Sequence, residues 1–256
     1  MPRRRNSVRW AAAVLALSGC SAAPAPASQE TAAAQRLGLM TSLPLYWPLG
    51  ADVAAIANGS GPLPWQRQAL AARYQIEPLD TLSPIPALSP DAPATDPLAG
   101  LALIAVIQPR GLSPADNVAL DDWVRAGGHL LLALDPALTG EYDLPLGDPR
   151  RPVDAALIPP VVARWGLAAS FDEGQATQVT TARLGNAALP LALAGRITIP
   201  DSAAAHCTML ADGAAARCIV GAGQVTLIAD AALFEHAELA GEGGAGLRAL
   251  VAAALE

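Results

Sequence analysis

The stretch Leu101–Pro136 reads LALIAVIQPRGLSPADNVALDDWVRAGGHLLLALDP, and it decides the fold. Leu101–Ile107 is a continuous apolar run, as expected of a strand covered on both faces. Ser113-Pro114-Ala115-Asp116 opens a helix: Ser caps it, Pro suits the first turn, and Asp116 completes a capping-box pattern. At 100° per residue, Ala119, Leu120, Trp123 and Val124 share one face, and Asp121, Asp122 and Arg125 fall on the other. Gly127-Gly128 ends the helix, and His129–Leu134 is the next buried strand. A strand, helix and strand of this length form a right-handed parallel crossover.

Outward from this unit the alternation continues. Leu37–Leu45 reads as a first strand, Pro64–Tyr74 as a helix and Gln75–Leu79 as a second short strand. Thr81–Pro97, rich in Pro, Ser and Asp, is a loop long enough to suggest function or mobility. A short helix starts at Pro159-Pro160, and Leu167–Asp172 is a strand candidate. Gln178–Pro200 suggests strands broken by Gly and Pro. His206–Leu210 and Arg217–Val220 flank Ala211-Asp212-Gly213 as a hairpin, Gln224–Ala229 is a last strand, and Gly246–Leu255 is a closing helix.

The N-terminus reads as an address. Arg3, Arg4, Arg5 and Arg9 precede the apolar run Trp10–Leu17, which is too short for the ~20 residues of a membrane span. Leu17-Ser18-Gly19-Cys20 resembles a bacterial lipobox. That resemblance implies a lipoprotein signal peptide over 1–19, cleavage before Cys20 and lipidation of its thiol. Residues 20–36, small, polar and Pro-containing, form a flexible tether, and a single domain fills 37–256. The expected address is the bacterial cell envelope, lipid-anchored and facing the periplasm, with Ser21 favouring the outer membrane. An ordinary signal peptide, a plain apolar N-terminus and twin-arginine export through Arg3–Arg5 are the alternatives.

Composition narrows the chemistry. All 16 basic residues of the 256 are arginine, which removes Schiff-base lysines and the P-loop lysine. Without residues 1–19 the chain carries 12 arginines against 23 carboxylates, a net −11 that opposes nucleic acid. Three histidines and three cysteines make a multi-ligand zinc site unexpected, and no cofactor is expected. Cys207 and Cys218, on the two arms of the hairpin, suggest a disulfide in an oxidising compartment, with two free thiols as the alternative.

Four stretches together resemble one family: Gln108–Ser113 (QPRGLS), Ala119–Val124 (ALDDWV), Gly127–Leu131 (GGHLL) and Asp135-Pro136. Gly221–Glu238 (GAGQVTLIADAALFEHAE) adds a final strand and turn. They are similar to the class I glutamine-amidotransferase-like domains of the gliding-motility ABC-transporter auxiliary protein and its relatives. The resemblance implies a flavodoxin-like open, mostly parallel sheet with helices on both faces, here with a β-hairpin-containing C-terminal part. It also implies a possible ABC-transporter or other envelope partner. The nucleophilic cysteine of true glutaminases has no counterpart, because Asp135-Pro136 stands where the elbow belongs, and proline denies the site an N–H. The expectation is therefore a non-catalytic envelope lipoprotein that acts as a binding or scaffolding accessory, not an enzyme, with no catalytic or metal residue assigned.

Ligands of open parallel sheets bind beyond the carboxyl ends of the strands. Candidate binding residues there are Thr41, Ser42, Gln108, Arg110, Asp135 and Asp230, with Arg150 and Arg151 on a loop able to lie over them. Asp135 and Asp230 are equally candidates for turn caps, and the arginine pair for a plain surface feature. One alternative function is a small-molecule or glycan-binding module in this crevice, with Tyr46, Trp47 and Trp65 as stacking surface. Another is a metal-dependent hydrolase built on Asp135 or Asp230. His129 reads as structural, and His236 stands near Glu235 and Glu238.

Overall fold

The computed structural model describes residues 34–89 and 91–256. Cys20, the 1–19 signal and most of the tether lie outside the described residues. The domain begins earlier than its sequence suggests, since the first strand, β1 (Gln35–Thr41), already includes Gln35 and Arg36. Two short helices, α1 (Val53–Ala57) and α2 (Trp65–Ala71), lead to β2 (Tyr74–Pro78). The crossover unit follows as β3 (Leu103–Ile107), α3 (Pro114–Arg125) and β4 (His129–Ala133). After α4 (Pro160–Arg164) come β5 (Ala168–Ser170), β6 (Thr180–Leu184), β7 (Ala187–Leu191) and β8 (Arg196–Thr198). The chain ends with β9 (His206–Leu210), β10 (Ala215–Val220), β11 (Gly223–Ile228), α5 (Ala232–Glu235) and α6 (Ala245–Leu255).

The fold is mixed α/β. Seven strands form one sheet in the order β2-β1-β3-β4-β11-β10-β9, with β5-β8 and β6-β7 as separate antiparallel pairs. The first five strands are parallel, and β10 and β9 extend the sheet antiparallel beyond β11. Period-2 alternation splits the sheet's side chains between two cores. Leu131 and Ala133 face α2 and α6 on one side. Leu130 and Leu132 face α3 and α4 on the other. Both faces of the central strands are therefore covered, which is why β3 and β4 read as unbroken apolar runs.

Helix α3 starts as its sequence dictates. Ser113 Oγ accepts from Asp116 N at 3.0 Å, and Asp116 Oδ2 accepts from Ser113 N at 3.1 Å. The other oxygen of Asp116 accepts from the Leu82 and Ser83 amides, both at 2.9 Å, and from Thr81 Oγ1 at 2.8 Å. One N-terminal carboxylate thus pins the start of the long Pro-rich loop. Burial works against its charge, but the Ser113, Thr81 and backbone donors prevail and hold it far below the usual aspartate range.

The helical wheel fails at Asp121. Placed on the solvent side by periodicity, it is buried, because α4 packs across that part of α3. Its carboxylate accepts from the indole N–H of the buried Trp165 at 2.8 Å, from Arg164 Nε at 2.5 Å and from Arg125 Nε at 3.0 Å. Burial opposes the charge, yet the Arg125, Trp165 and Arg164 donors outweigh it and lower its pKa.

Cys207 and Cys218 are directly opposed in β9 and β10 and form a disulfide. The bond clips the outermost strand to the sheet. Breaking it by Cys207→Ser with Cys218→Ser is expected to cost about 3 kcal/mol on the chain-entropy account. Asp121→Ala strands the Trp165 N–H and is expected to cost about 2 kcal/mol. Urea denaturation checks both, and an unmoved midpoint would contradict either account.

Candidate functional site

The register of β4 and β11 builds the site. Ala133 pairs with Ile228, so the chain emerges from two neighbouring strands at one level and places Asp135 and Asp230 two residues beyond it. Both carboxyls are buried. Asp135 accepts from the Ala137 and Ala231 amides, each at 2.7 Å, and Asp230 from the Ala192 and Ala232 amides, each at 2.7 Å. All four oxygens therefore face backbone donors and tie the β4 turn, the β11 turn and the end of β7 together. Burial raises Asp135 to about 7 against the relief from its two amides, with Glu235 adding repulsion. Asp230 rises to about 8 through burial and the charge of Asp135.

The crevice beyond the strand ends is filled. Gln108, just past β3 and buried, adopts a left-handed φ of 44° and turns its side chain inward. Its amide oxygen accepts from Asp135 N at 2.8 Å, and its NH2 donates to Asp135 O at 3.0 Å and Val153 O at 2.9 Å. Ser42 Oγ donates to Gln108 O at 2.6 Å and accepts from Val153 N at 3.3 Å. Arg110 donates to Arg151 O at 2.9 Å. Residues 151–156 thereby cover the space beside Ser42, Gln108, Arg110 and Asp135, where a ligand was expected. Thr41 accepts from Leu43 N at 3.0 Å. Arg150 is paired to Asp148 at 2.7 Å. Arg151 is paired to Asp154 at 2.8 Å and also donates to the Tyr142 and Leu144 carbonyls. Ser42, Gln108, Arg110 and Asp135 are tied to the backbone of that loop, and Asp230 to the Ala192 and Ala232 amides. Among the described residues no three of His, Cys, Asp and Glu converge to hold a metal.

Open space lies to one side. A cavity of about 610 Å³ is lined by residues following β1 (Pro44, Pro48), β4 (Thr139, Glu141, Tyr142) and β11 (Glu235, His236, Glu238), with Gln66 of α2. Glu235 organises it, accepting from Thr139 N at 3.1 Å, Gly140 N at 3.0 Å and the Tyr142 hydroxyl at 2.6 Å. Burial and the Glu235 carboxylate raise the Tyr142 phenol, so it stays a donor. A Cβ on Gly140 would crowd the Glu235 carboxylate, so a larger residue there would push that carboxylate aside. Thr139 Oγ1 lies 2.9 Å from His236 Nε2, and His236 Nδ1 lies 3.3 Å from Glu238 Oε1.

Of this group the sequence marked only His236 and its two acidic neighbours. Thr139 and Tyr142 carried no signal, because their partners lie more than ninety positions away and meet them only through β4–β11 pairing. The aromatic pair expected to stack on ligand is already engaged: the Arg67 guanidinium lies 4.0 Å from the Tyr46 ring centre and 4.6 Å from that of Trp47. Trp65 packs against the core.

No family model and no curated protein match the sequence. Solved structures with some likeness include an exo-β-1,4-mannosidase from Opitutaceae bacterium strain TAV5, at 17% identity and TM-score 0.48, covering 87% of this chain and 36% of that one. A β-galactosidase from Rahnella sp. R3 follows at 12% identity and TM-score 0.43, covering 77% and 28%. A β-galactosidase from Bacillus circulans sp. alkalophilus is similar at 11% identity and TM-score 0.45, covering 85% and 30%. The chain spans about a third of their length, and at these values they transfer neither activity nor substrate to it. They are glycosidases, and none is an amidotransferase-like transporter accessory. No comparison supports the amidotransferase-like resemblance, and the expectations drawn from it, an ABC-transporter accessory and a non-catalytic scaffold without enzymatic activity, are withdrawn.

The acidic pair has a pH signature. Both folded-state values lie above an ordinary aspartate's 3.8, so the folded chain holds more protons than the unfolded chain between about pH 4 and pH 8. The pair's contribution is greatest below pH 4 and shrinks as pH rises to 8. Chemical denaturation across this range is expected to show a negative slope that flattens in Asp230→Asn. Equal slopes in the two proteins would contradict the assignment.

Proposed function

We propose that the chain binds a small, polyhydroxylated ligand of the sugar class in the Glu235 cavity. The observation that carries this reading is the lining: three carboxylates, Glu141, Glu235 and Glu238, with Gln66, Thr139, Tyr142 and His236, and no arginine among the described residues. Carboxylates only accept hydrogen bonds, so they suit ligand hydroxyls and repel anions. Its volume falls within the range of small-molecule sites, and the prolines at its rim give a rigid wall. The parallel strand order β2-β1-β3-β4-β11 supports a flavodoxin-like arrangement, in which ligands sit beyond the carboxyl ends of strands. The cavity lies on that side, displaced from the filled crevice.

Calorimetric titration with neutral mono- and disaccharides, a polyamine and citrate tests the reading. A neutral sugar is expected to bind, and Glu141→Gln, at an exposed lining position, to weaken it about tenfold, the loss of one charge-assisted hydrogen bond. Arg150→Ala, beside the covering loop, is expected to leave affinity unchanged. Preference for citrate or the polyamine, or no sugar binding at all, would overturn the sugar assignment.

A further inference from the structure

We propose that Thr139, His236 and Glu238 form a hydroxyl–imidazole–carboxylate relay that hydrolyses small acyl esters of polyols. The proposal rests on the reading of the Glu235 cavity as a ligand site and adds a reaction to it.

All three residues line that cavity: Thr139 Oγ1 lies within hydrogen-bond distance of His236 Nε2 at 2.9 Å, and the Glu238 carboxylate stands beside His236 Nδ1 at an ion-pair distance of 3.3 Å. With the ring proton on Nδ1, toward the Glu238 carboxylate, the Nε2 lone pair accepts from the Thr139 hydroxyl. This is the orientation in which an imidazole removes a hydroxyl proton. The fold supplies the geometry, since the turns after β4 and β11 leave adjacent parallel strands at one level. Glu235 then fixes the backbone of Thr139 and Gly140 through their amides.

In the first half-reaction Thr139 Oγ1 attacks the acyl carbon while its proton passes to His236 Nε2. The bond from that carbon to the alcohol oxygen breaks, and the imidazolium returns the proton to the departing oxygen. In the second, water attacks the acyl-threonine, giving its proton to Nε2. The acid leaves, and the proton returns to Thr139 Oγ1. The sum is ester plus water to acid plus alcohol, with no change of oxidation state. Glu238 orients the ring. Because the Thr139 and Gly140 amides are committed to Glu235, they do not serve the tetrahedral oxyanion, and one such donor is worth about 10²–10³ in rate. Turnover is therefore expected to be slow and best seen with activated esters.

The test measures p-nitrophenyl acetate hydrolysis and sugar binding on the same preparations, with mass spectrometry after treatment with a fluorophosphonate. Wild-type protein is expected to turn over above the buffer rate and to carry the label on Thr139. Thr139→Ala and His236→Gln are expected to lower kcat at least about 100-fold, and Thr139→Ser to restore it to within about tenfold. Glu238→Gln, at an exposed position, is expected to lower kcat for p-nitrophenyl acetate more than it weakens sugar binding, as fits a positioning residue. Sugar binding without turnover overturns the relay and leaves the ligand site standing. Turnover that survives Thr139→Ala, or a label on another residue, also overturns the relay. Turnover with Thr139 labelling but no sugar binding upholds the relay and overturns the sugar assignment alone.

Discussion

The site depends on the in-register pairing of β4 with β11. Parallel strands that end at one level release their chains side by side, and here each release point carries an aspartate two residues on. Burying two carboxyls next to each other is costly, and an uncompensated pair would not survive in a fold of ordinary stability. Four backbone amides meet the four oxygens, and the raised pKa values reduce the charge that has to be buried at neutral pH. The pair acts as a cross-brace between two turns, and those turns carry every polar group of the cavity except Gln66.

A second constraint moves the open space sideways. Gln108 accepts a left-handed backbone so that its amide can join the Asp135 and Val153 backbones, and Ser42 joins the same loop from the β1 side. A non-glycine residue in that region carries a conformational cost, offset here by three side-chain hydrogen bonds. The crevice at the centre of the sheet becomes a packed joint, and the cavity opens where residues 44–48, 139–142 and 234–238 meet without a plug.

The sequence was legible where local rules decide the outcome. The buried strands Leu103–Ile107 and His129–Ala133 and the Ser113–Asp116 capping box follow from periodicity and cap chemistry. It misled where a distant element intervened: Asp121 sits on the polar arc of α3 and is buried because Trp165, 44 positions on, needs an acceptor. The family resemblance rested on local signals of another kind. Stretches such as GGHLL and an Asp-Pro after a strand describe how parallel strands start and stop, and a fold shared by many functions carries such signals without naming one. Thr41, Gln108, Asp135 and Asp230 lie at or just past the ends of β1, β3, β4 and β11. Whether their side chains face a ligand or a loop depends on residues 151–156, whose path has no periodic signature.

Glu235 sets both the order and the limits of the site. By accepting the Thr139 and Gly140 amides and the Tyr142 hydroxyl, it converts a turn rich in small residues into a rigid wall. The same bonds take up backbone donors that would otherwise be free to meet an anion in the cavity. A site organised in this way favours ligands that donate hydrogen bonds over ligands that accept them, as the absence of arginine from its lining among the described residues also does. Preorganisation and selectivity therefore come from one carboxylate, held in place by the turn that leaves β11 beside β4.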